Sequence, residues 1–246
     1  GEMGRSSFLF RNLSRSRGAS ESKSLRDQTE LGLNCRHLSG MRFRSKRLSL
    51  ILSNTELQLA LDRGWIKIHP KPAPLQPSVE NDCPYQTTAV DLRLGPEILR
   101  PKEAAPITVD LREGRFRTLA DAFYEPFSLS DTQPWALKPK TFVLGRTVEI
   151  VTLPIPTKAS QPCYAARIEG RSSYARCGLA VHLTAPTIHA GYDGVITLEI
   201  CNFGQYTISL FPEMYICQLI VEVVHGIPFK NDSQFQGQKT AHGTRS

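Results

Sequence analysis

Asp193-Gly194-Val195-Ile196-Thr197-Leu198-Glu199-Ile200-Cys201 repeats with a period of two. Ile196, Leu198 and Ile200 make one wholly apolar face, and Val195, Thr197, Glu199 and Cys201 make the other. Side chains alternate across a strand, so this stretch reads as a β-strand with one face turned into a core. Outward from it the same alternation returns. Strands are expected at 141–152, 163–169, 179–184, 206–211 and 214–224. Val90, Leu92 and Leu94 alternate with Asp91 and Arg93, and Ile107-Thr108-Val109-Asp110-Leu111 alternates too. Lys138-Pro139, Leu153-Pro154, Gly170, Gly191, Asp193-Gly194, Asn202-Phe203-Gly204 and Phe211-Pro212 punctuate the series as turns. Gly191 and Asp193-Gly194 together fit a β-hairpin around His189. Many short strands at this spacing, without a βαβ rhythm, give an all-β barrel or sandwich.

Two helical pieces interrupt the β pattern. Ser53 with Glu56 is a capping box, Leu57, Ala60 and Leu61 follow at helical spacing, and Gly64 ends the helix. Trp65 to Pro70 reads as a short strand and 70–84 as a Pro-rich loop. The second piece is Arg171-Ser172-Ser173-Tyr174-Ala175-Arg176-Cys177-Gly178, a single helical turn between two strands with Gly178 as its terminator. Hydroxyls and orphan amides share its first residues, and Arg171 and Arg176 add positive charge, so it is a candidate anion site, with a surface turn carrying two solvated arginines as the alternative.

Charge divides the chain. The net charge is +7, and residues 1–50 hold 11 basic and 4 acidic side chains, whereas 51–246 hold 19 of each. A basic surface over the whole protein is therefore excluded, and a nucleic-acid partner is not expected of the body. Residues 1–48 form a basic extension rich in Ser and Arg, without a period, and are read as disordered. The sequence opens on Gly1, and Met41 is taken as a natural start. Residues 49–246 form the expected domain, with a flexible polar tail over about 228–246. No run of roughly 18 apolar residues exists to span a membrane. Six scattered cysteines without a Cys-x-x-Cys pair are expected as free thiols in a reducing compartment, the cytoplasm.

Zinc deamination is excluded by motif. It needs His-x-Glu followed by Pro-Cys-x-x-Cys. Here Pro162-Cys163 is followed by Tyr164, Ala165 and Ala166, and none of the six histidines precedes a Glu by two residues. No P-loop, Gly-x-Gly-x-x-Gly or Gly-x-Ser-x-Gly is present. Glu199 is the candidate chemistry-bearing residue. It sits on a mostly apolar strand with Thr197 as the polar neighbour on its face, and a cleft there would raise its pKa and suit it to proton transfer. A solvated strand carboxylate is the alternative.

Glu169-Gly170-Arg171-Ser172-Ser173-Tyr174-Ala175-Arg176-Cys177-Gly178-Leu179 resembles the signature of dCTP deaminases within the dUTPase-like trimers. So do Val181-His182-Leu183-Thr184-Ala185-Pro186, Ile188-His189-Ala190-Gly191-Tyr192, Ile196-Thr197-Leu198-Glu199, Phe142 to Thr147, Val90 to Gly95 and Leu50 to Ser53. The likeness runs from about 49 to 240. It implies a distorted antiparallel β-barrel of the β-clip type, assembled as a homotrimer with active sites between subunits. It implies hydrolytic deamination of dCTP to dUTP without zinc, with Mg²⁺ carried on the triphosphate and no protein-held metal. Glu199 matches the catalytic carboxylate. Ser172 and Arg176 match residues that orient water and substrate, and Arg171 and Ser173 match positions that hold the triphosphate. Tyr174, Ala175, Ala185, His189, Thr197, Leu198, Gln234 and Gln238 complete the implied substrate contacts. Two positions depart from the family: His189 stands where many relatives carry Asp, and Gln234 where Lys is usual. The first favours a deaminase that stops at dUTP. The tail 233–238 resembles dUMP-forming members, so a bifunctional enzyme or a dUTPase-type pyrophosphatase stays open, as does a non-catalytic nucleotide-binding trimer.

Overall fold

Helix α1 (Asn54–Asp62) starts where the cap predicts: the Ser53 hydroxyl accepts the Glu56 amide at 3.3 Å. Leu57 and Ala60 bury its inner face, and Gly64 reverses the chain into β1 (Lys67–His69), with Ile68 inside. The computed structural model describes residues 51–103, 120, 122–230 and 237–241. The N-terminal extension, the strand expected at 107–111 and Gln234 lie outside the described residues.

The strands that follow are β2 (Tyr85–Gln86), β3 (Ala89–Arg93), β4 (Glu97–Pro101), β5 (Tyr124–Ser128), β6 (Trp135–Leu137), β7 (Phe142–Thr152) and β8 (Cys163–Gly170). The helical turn α2 (Ser172–Ala175) comes next. After it run β9 (Leu179–Ala180), β10 (Thr187–Ile188), β11 (Asp193–Asn202), β12 (Ile208–Leu210) and β13 (Tyr215–Val224). One sheet runs β5-β4-β7-β11-β9, with β1 also on β7. A second runs β10-β8-β13-β3-β2, and β12 pairs with β6. The named pairings are antiparallel. The all-β expectation holds. Among the described residues the sheets stay open rather than closing into a ring, and three of their four edges are the two-residue strands β9, β10 and β2, which offer little ladder to a neighbour.

Between the sheets lies one apolar core. Ile196, Leu198 and Ile200 of β11 meet Val90 and Leu92 of β3 and Leu219 and Val221 of β13 there. Each such side chain contributes roughly 1.5–3 kcal/mol by leaving water. Asp91 breaks the alternation expected of β3: it is 2% exposed, since both faces of that strand are covered.

Three further expectations change. The strand expected at 179–184 ends at Ala180, because Val181 to Pro186 leaves the ladder and crosses to the second sheet. The expected hairpin around His189 does not form: β10 pairs with β8 and β11 with β7, so this turn links two sheets. The tail is not free of the core, since Gln238 and Ala241 are buried at 4% and 2% exposure.

Candidate active site

Glu199 projects from β11 on the face opposite the core and is half-buried. Its backbone amide donates to Val181 O at 3.0 Å, and its Oε2 accepts the Leu183 amide at 2.9 Å. The other end of that loop is tied down by the Ile168 amide on Pro186 O at 2.9 Å. The loop is thereby stretched across Glu199, with Ala185 exposed on it. One carboxylate oxygen is held, and Oε1 carries no protein hydrogen bond among the described residues. A carboxylate anchored at one oxygen and open at the other has the form needed to exchange a proton with a bound water.

Thr197 lies two residues back on the same face, half-buried. Its hydroxyl takes part in a clasp built by the tail. Gln238 Nε2 donates to Val195 O at 2.7 Å, to the Tyr192 hydroxyl at 2.9 Å and to Thr197 Oγ1 at 3.1 Å. Backbone bonds reinforce it, from Gly237 N to Asp193 O at 2.7 Å and from Val195 N to Gln238 O at 3.1 Å. A Cβ on Gly194 would come within 2.8 Å of Gln238 O, so a side chain there would displace the tail. Tyr192 donates to Val195 O, and burial pushes its phenol pKa up. Gln238 Oε1 is buried without a partner.

The turn α2 brings Ser172 and Arg176 together at the i, i+4 spacing. Arg176 Nη1 donates to Ser172 O at 3.1 Å and to Ser172 Oγ at 3.2 Å. Both are exposed, as are Ser173 and Ala175. Gly178 closes the turn at φ +91°, and its carbonyl accepts the Phe203 amide at 2.8 Å. Arg171 lies between this turn and β13. Its Nη1 donates to Tyr215 O at 3.2 Å, its Nη2 is 3.5 Å from Asp91 Oδ2, and its guanidinium sits over the rings of Tyr174 and Tyr215 at 5.5 and 5.9 Å. Beside it Arg93 bridges the buried Glu149 and Glu213. Burial works against the Arg93 charge, but Glu149 outweighs it and holds the pKa above the ordinary value.

The expected residues thus fall into two groups. Arg171, Ser172, Ser173, Tyr174, Ala175 and Arg176 share α2, while Ala185, Thr197, Glu199 and Gln238 gather along β11. Among the described residues no hydrogen bond or ion pair joins Glu199 to Ser172 or Arg176. Leu198 needs correction: it is fully buried in the core, so only its backbone is left for a ligand. His189 is exposed on its turn, where its carbonyl accepts the Tyr192 amide at 3.2 Å. Sequence reasoning assigned no role to Tyr192 by itself, to the Leu183 amide or to Asp91. A backbone amide has no sequence signal. Asp91 had one, a carboxylate inside Val90-Asp91-Leu92. Among the described residues no three His, Cys, Asp or Glu side chains come together as a metal set. The five described cysteines are unpaired thiols, and no described helix is long and apolar enough to cross a membrane.

Residues 51–224 match the family described as dCTP deaminase-like. A dUMP-forming dCTP deaminase of Methanosphaera stadtmanae is 32% identical over 194 residues, covering 76% of this chain and 89% of its own. A dCTP deaminase of Natronomonas pharaonis is 32% identical over 203 residues, covering 80% of this chain and 94% of its own. The solved 2'-deoxycytidine 5'-triphosphate deaminase of Agrobacterium tumefaciens shares the fold at TM-score 0.51 and 21% identity, over 73% of this chain and 50% of that one. With a family match over most of its length and relatives of this identity, the chain belongs to the dCTP deaminase family.

Proposed function

We propose that this protein hydrolyses dCTP to a deoxyuridine nucleotide and ammonia, with Glu199 as the proton carrier. The observation that supports this most is the Glu199 carboxylate, pinned by the Leu183 amide at Oε2 and open at Oε1. In this reading Oε1 takes a proton from water as the water oxygen bonds to C4 of cytosine, and Glu199 passes that proton to N3. Glu199 then takes the second proton from the new C4 hydroxyl and passes it to the exocyclic amine as the C4–N bond breaks, so ammonia leaves and C4 becomes a carbonyl. Positioning carries the rate: Ser172 and Arg176 orient the water and the base, and the loop bearing Ala185 lies against it. Arg171 and Ser173 hold the triphosphate, which arrives with Mg²⁺ as part of the substrate. Thr197, the backbone of Leu198, and Gln238 close over the sugar and base, with His189 at the rim.

Among the described residues no hydrogen bond or ion pair joins Glu199 to Ser172 or Arg176 within one chain, which fits a homotrimer in which the α2 turn of one subunit completes the Glu199 site of its neighbour. Unpaired thiols fit a reducing cytoplasm. We take dUTP as the product, since His189 replaces the carboxylate that the pyrophosphatase step would use. The second reading, release of dUMP, is favoured by the Methanosphaera relative, whose name carries that product. Incubation of the full chain with dCTP and Mg²⁺, followed by anion exchange, tests both. A dUTP peak with ammonia and no pyrophosphate supports the first reading, a dUMP peak with pyrophosphate supports the second, and unchanged dCTP contradicts deamination altogether.

A further inference from the structure

We infer that Asp91 is a positioning residue for phosphate recognition, acting through Arg171; this rests on the reading above that Arg171 holds the triphosphate. Asp91 is 2% exposed, on β3, two strands along the sheet from β8, the strand that leads into α2. Its Oδ1 accepts Gln218 Nε2 at 2.9 Å and its Oδ2 accepts Gln86 Nε2 at 3.0 Å, so β13 and β2 both orient it. Among the described residues the one cation that meets it is Arg171, at 3.5 Å from Oδ2. A carboxylate kept out of water is tolerated when it is paired and hydrogen-bonded, and here both conditions are met. Arg171 gains from the same arrangement. Asp91 and Tyr215 O fix one end of its guanidinium, and the rings of Tyr174 and Tyr215 flank it. A guanidinium has five N–H donors in a rigid fork, so donors remain for a phosphate oxygen. Arg171 is 28% exposed at its side chain, which leaves that end reachable from solvent. Without Asp91 the long side chain regains its rotamers, and ordering it is charged to substrate binding.

Two effects oppose each other. Asp91 orders the fork, and it also offsets part of its charge. The ordering effect dominates, because at 3.5 Å, with two amides sharing the carboxylate, Asp91 offsets the guanidinium charge only in part, while its fixed position still limits the rotamers the fork can take. Asp91→Asn is therefore expected to raise KM for dCTP about tenfold with kcat within about twofold, the scale of one charge-assisted contact.

The test is a double-mutant cycle in the full-length protein, with kcat and KM for dCTP measured for wild type, Asp91→Asn, Arg171→Gln and the double variant. Arg171→Gln is expected to raise KM by about thirtyfold or more, and adding Asp91→Asn to it should change KM by less than about twofold. Additive effects would reduce Asp91 to a fold residue and overturn the inference. A lower KM in Asp91→Asn would overturn it too, by making Asp91 a competitor of the phosphate. An unchanged KM in Arg171→Gln would remove the phosphate role of Arg171 itself, a failure of the underlying reading visible before Asp91 is considered. Should Asp91→Asn not fold, Gln218→Ala, which loosens the carboxylate from one side, is expected to raise KM about threefold, and an unchanged value overturns the inference.

Discussion

Replacing Gly178 with Ala tests how the α2 turn is seated. Gly178 adopts φ +91°, and its missing side chain faces the chain reversal at 203–204. A Cβ there would lie closer than 3.0 Å to both Gly204 N and Gly204 Cα, and 3.1 Å from Phe203 C. These are backbone atoms, so no rotamer relieves the overlap. The reversal is itself fixed, with Asn202 Oδ1 accepting the Gly204 amide at 2.9 Å and Nδ2 donating to Leu137 O and Tyr206 O at 2.9 and 2.8 Å. Positive φ alone costs an alanine about 1 kcal/mol. Forcing two backbone segments apart adds about 1–3 kcal/mol. Gly178→Ala is thus expected to cost about 3 kcal/mol and to lower Tm by about 9 °C in a domain near 200 residues. Gly64→Ala is the matched control: its φ is +67° and nothing lies within 4 Å of the added Cβ, so strain alone, about 1 kcal/mol, is expected. Urea unfolding and thermal melts at one fixed protein concentration read both. Equal losses in the two variants would refute the close backbone approach behind α2.

Two other outcomes follow from the same coordinates. Burial, with smaller electrostatic contributions from Cys83 and Asp62, pushes the Tyr85 phenol from 10.0 to about 12, and its hydroxyl donates to Pro72 O at 3.2 Å. The folded state therefore holds this proton more tightly, so stability from Tyr85 is intact below pH 10 and is lost as pH rises toward 12; Tyr85→Phe should flatten that alkaline decline in urea unfolding, and an unchanged slope would contradict the burial. Gln238→Ala removes the amide that clasps Tyr192, Val195 and Thr197, so hydrogen exchange at the Gly237 and Val195 amides should quicken by about tenfold or more, and unchanged protection would contradict the clasp.

Sequence reasoning worked where a local rule decides the structure. The β11 alternation, the Ser53 cap and the Gly178 terminator each depend on residues within a few positions of one another. It failed where long-range contacts decide. The hairpin signal at Asp193-Gly194 was overridden because β10 and β11 found different partners, β8 and β7. Strands such as β2, β9 and β10 are too short to show a period. Asp91 is held by Gln218, 127 positions away, and Gln238 is buried although the polar composition of the tail signalled exposure. The α2 residues were legible because one helical turn carries them all. The hold of Leu183 on Glu199 was not, since it runs through a main-chain amide.

The most direct measurement of the central claim is ammonia release from dCTP by wild type and Glu199→Gln, with nucleotide affinity measured in parallel. Glutamine keeps an acceptor for the Leu183 amide but removes the group that exchanges a proton. The account predicts a fall in kcat of about 10³-fold, with dCTP affinity within about threefold and Tm unchanged. Turnover within tenfold of wild type would contradict the assignment of proton transfer to Glu199.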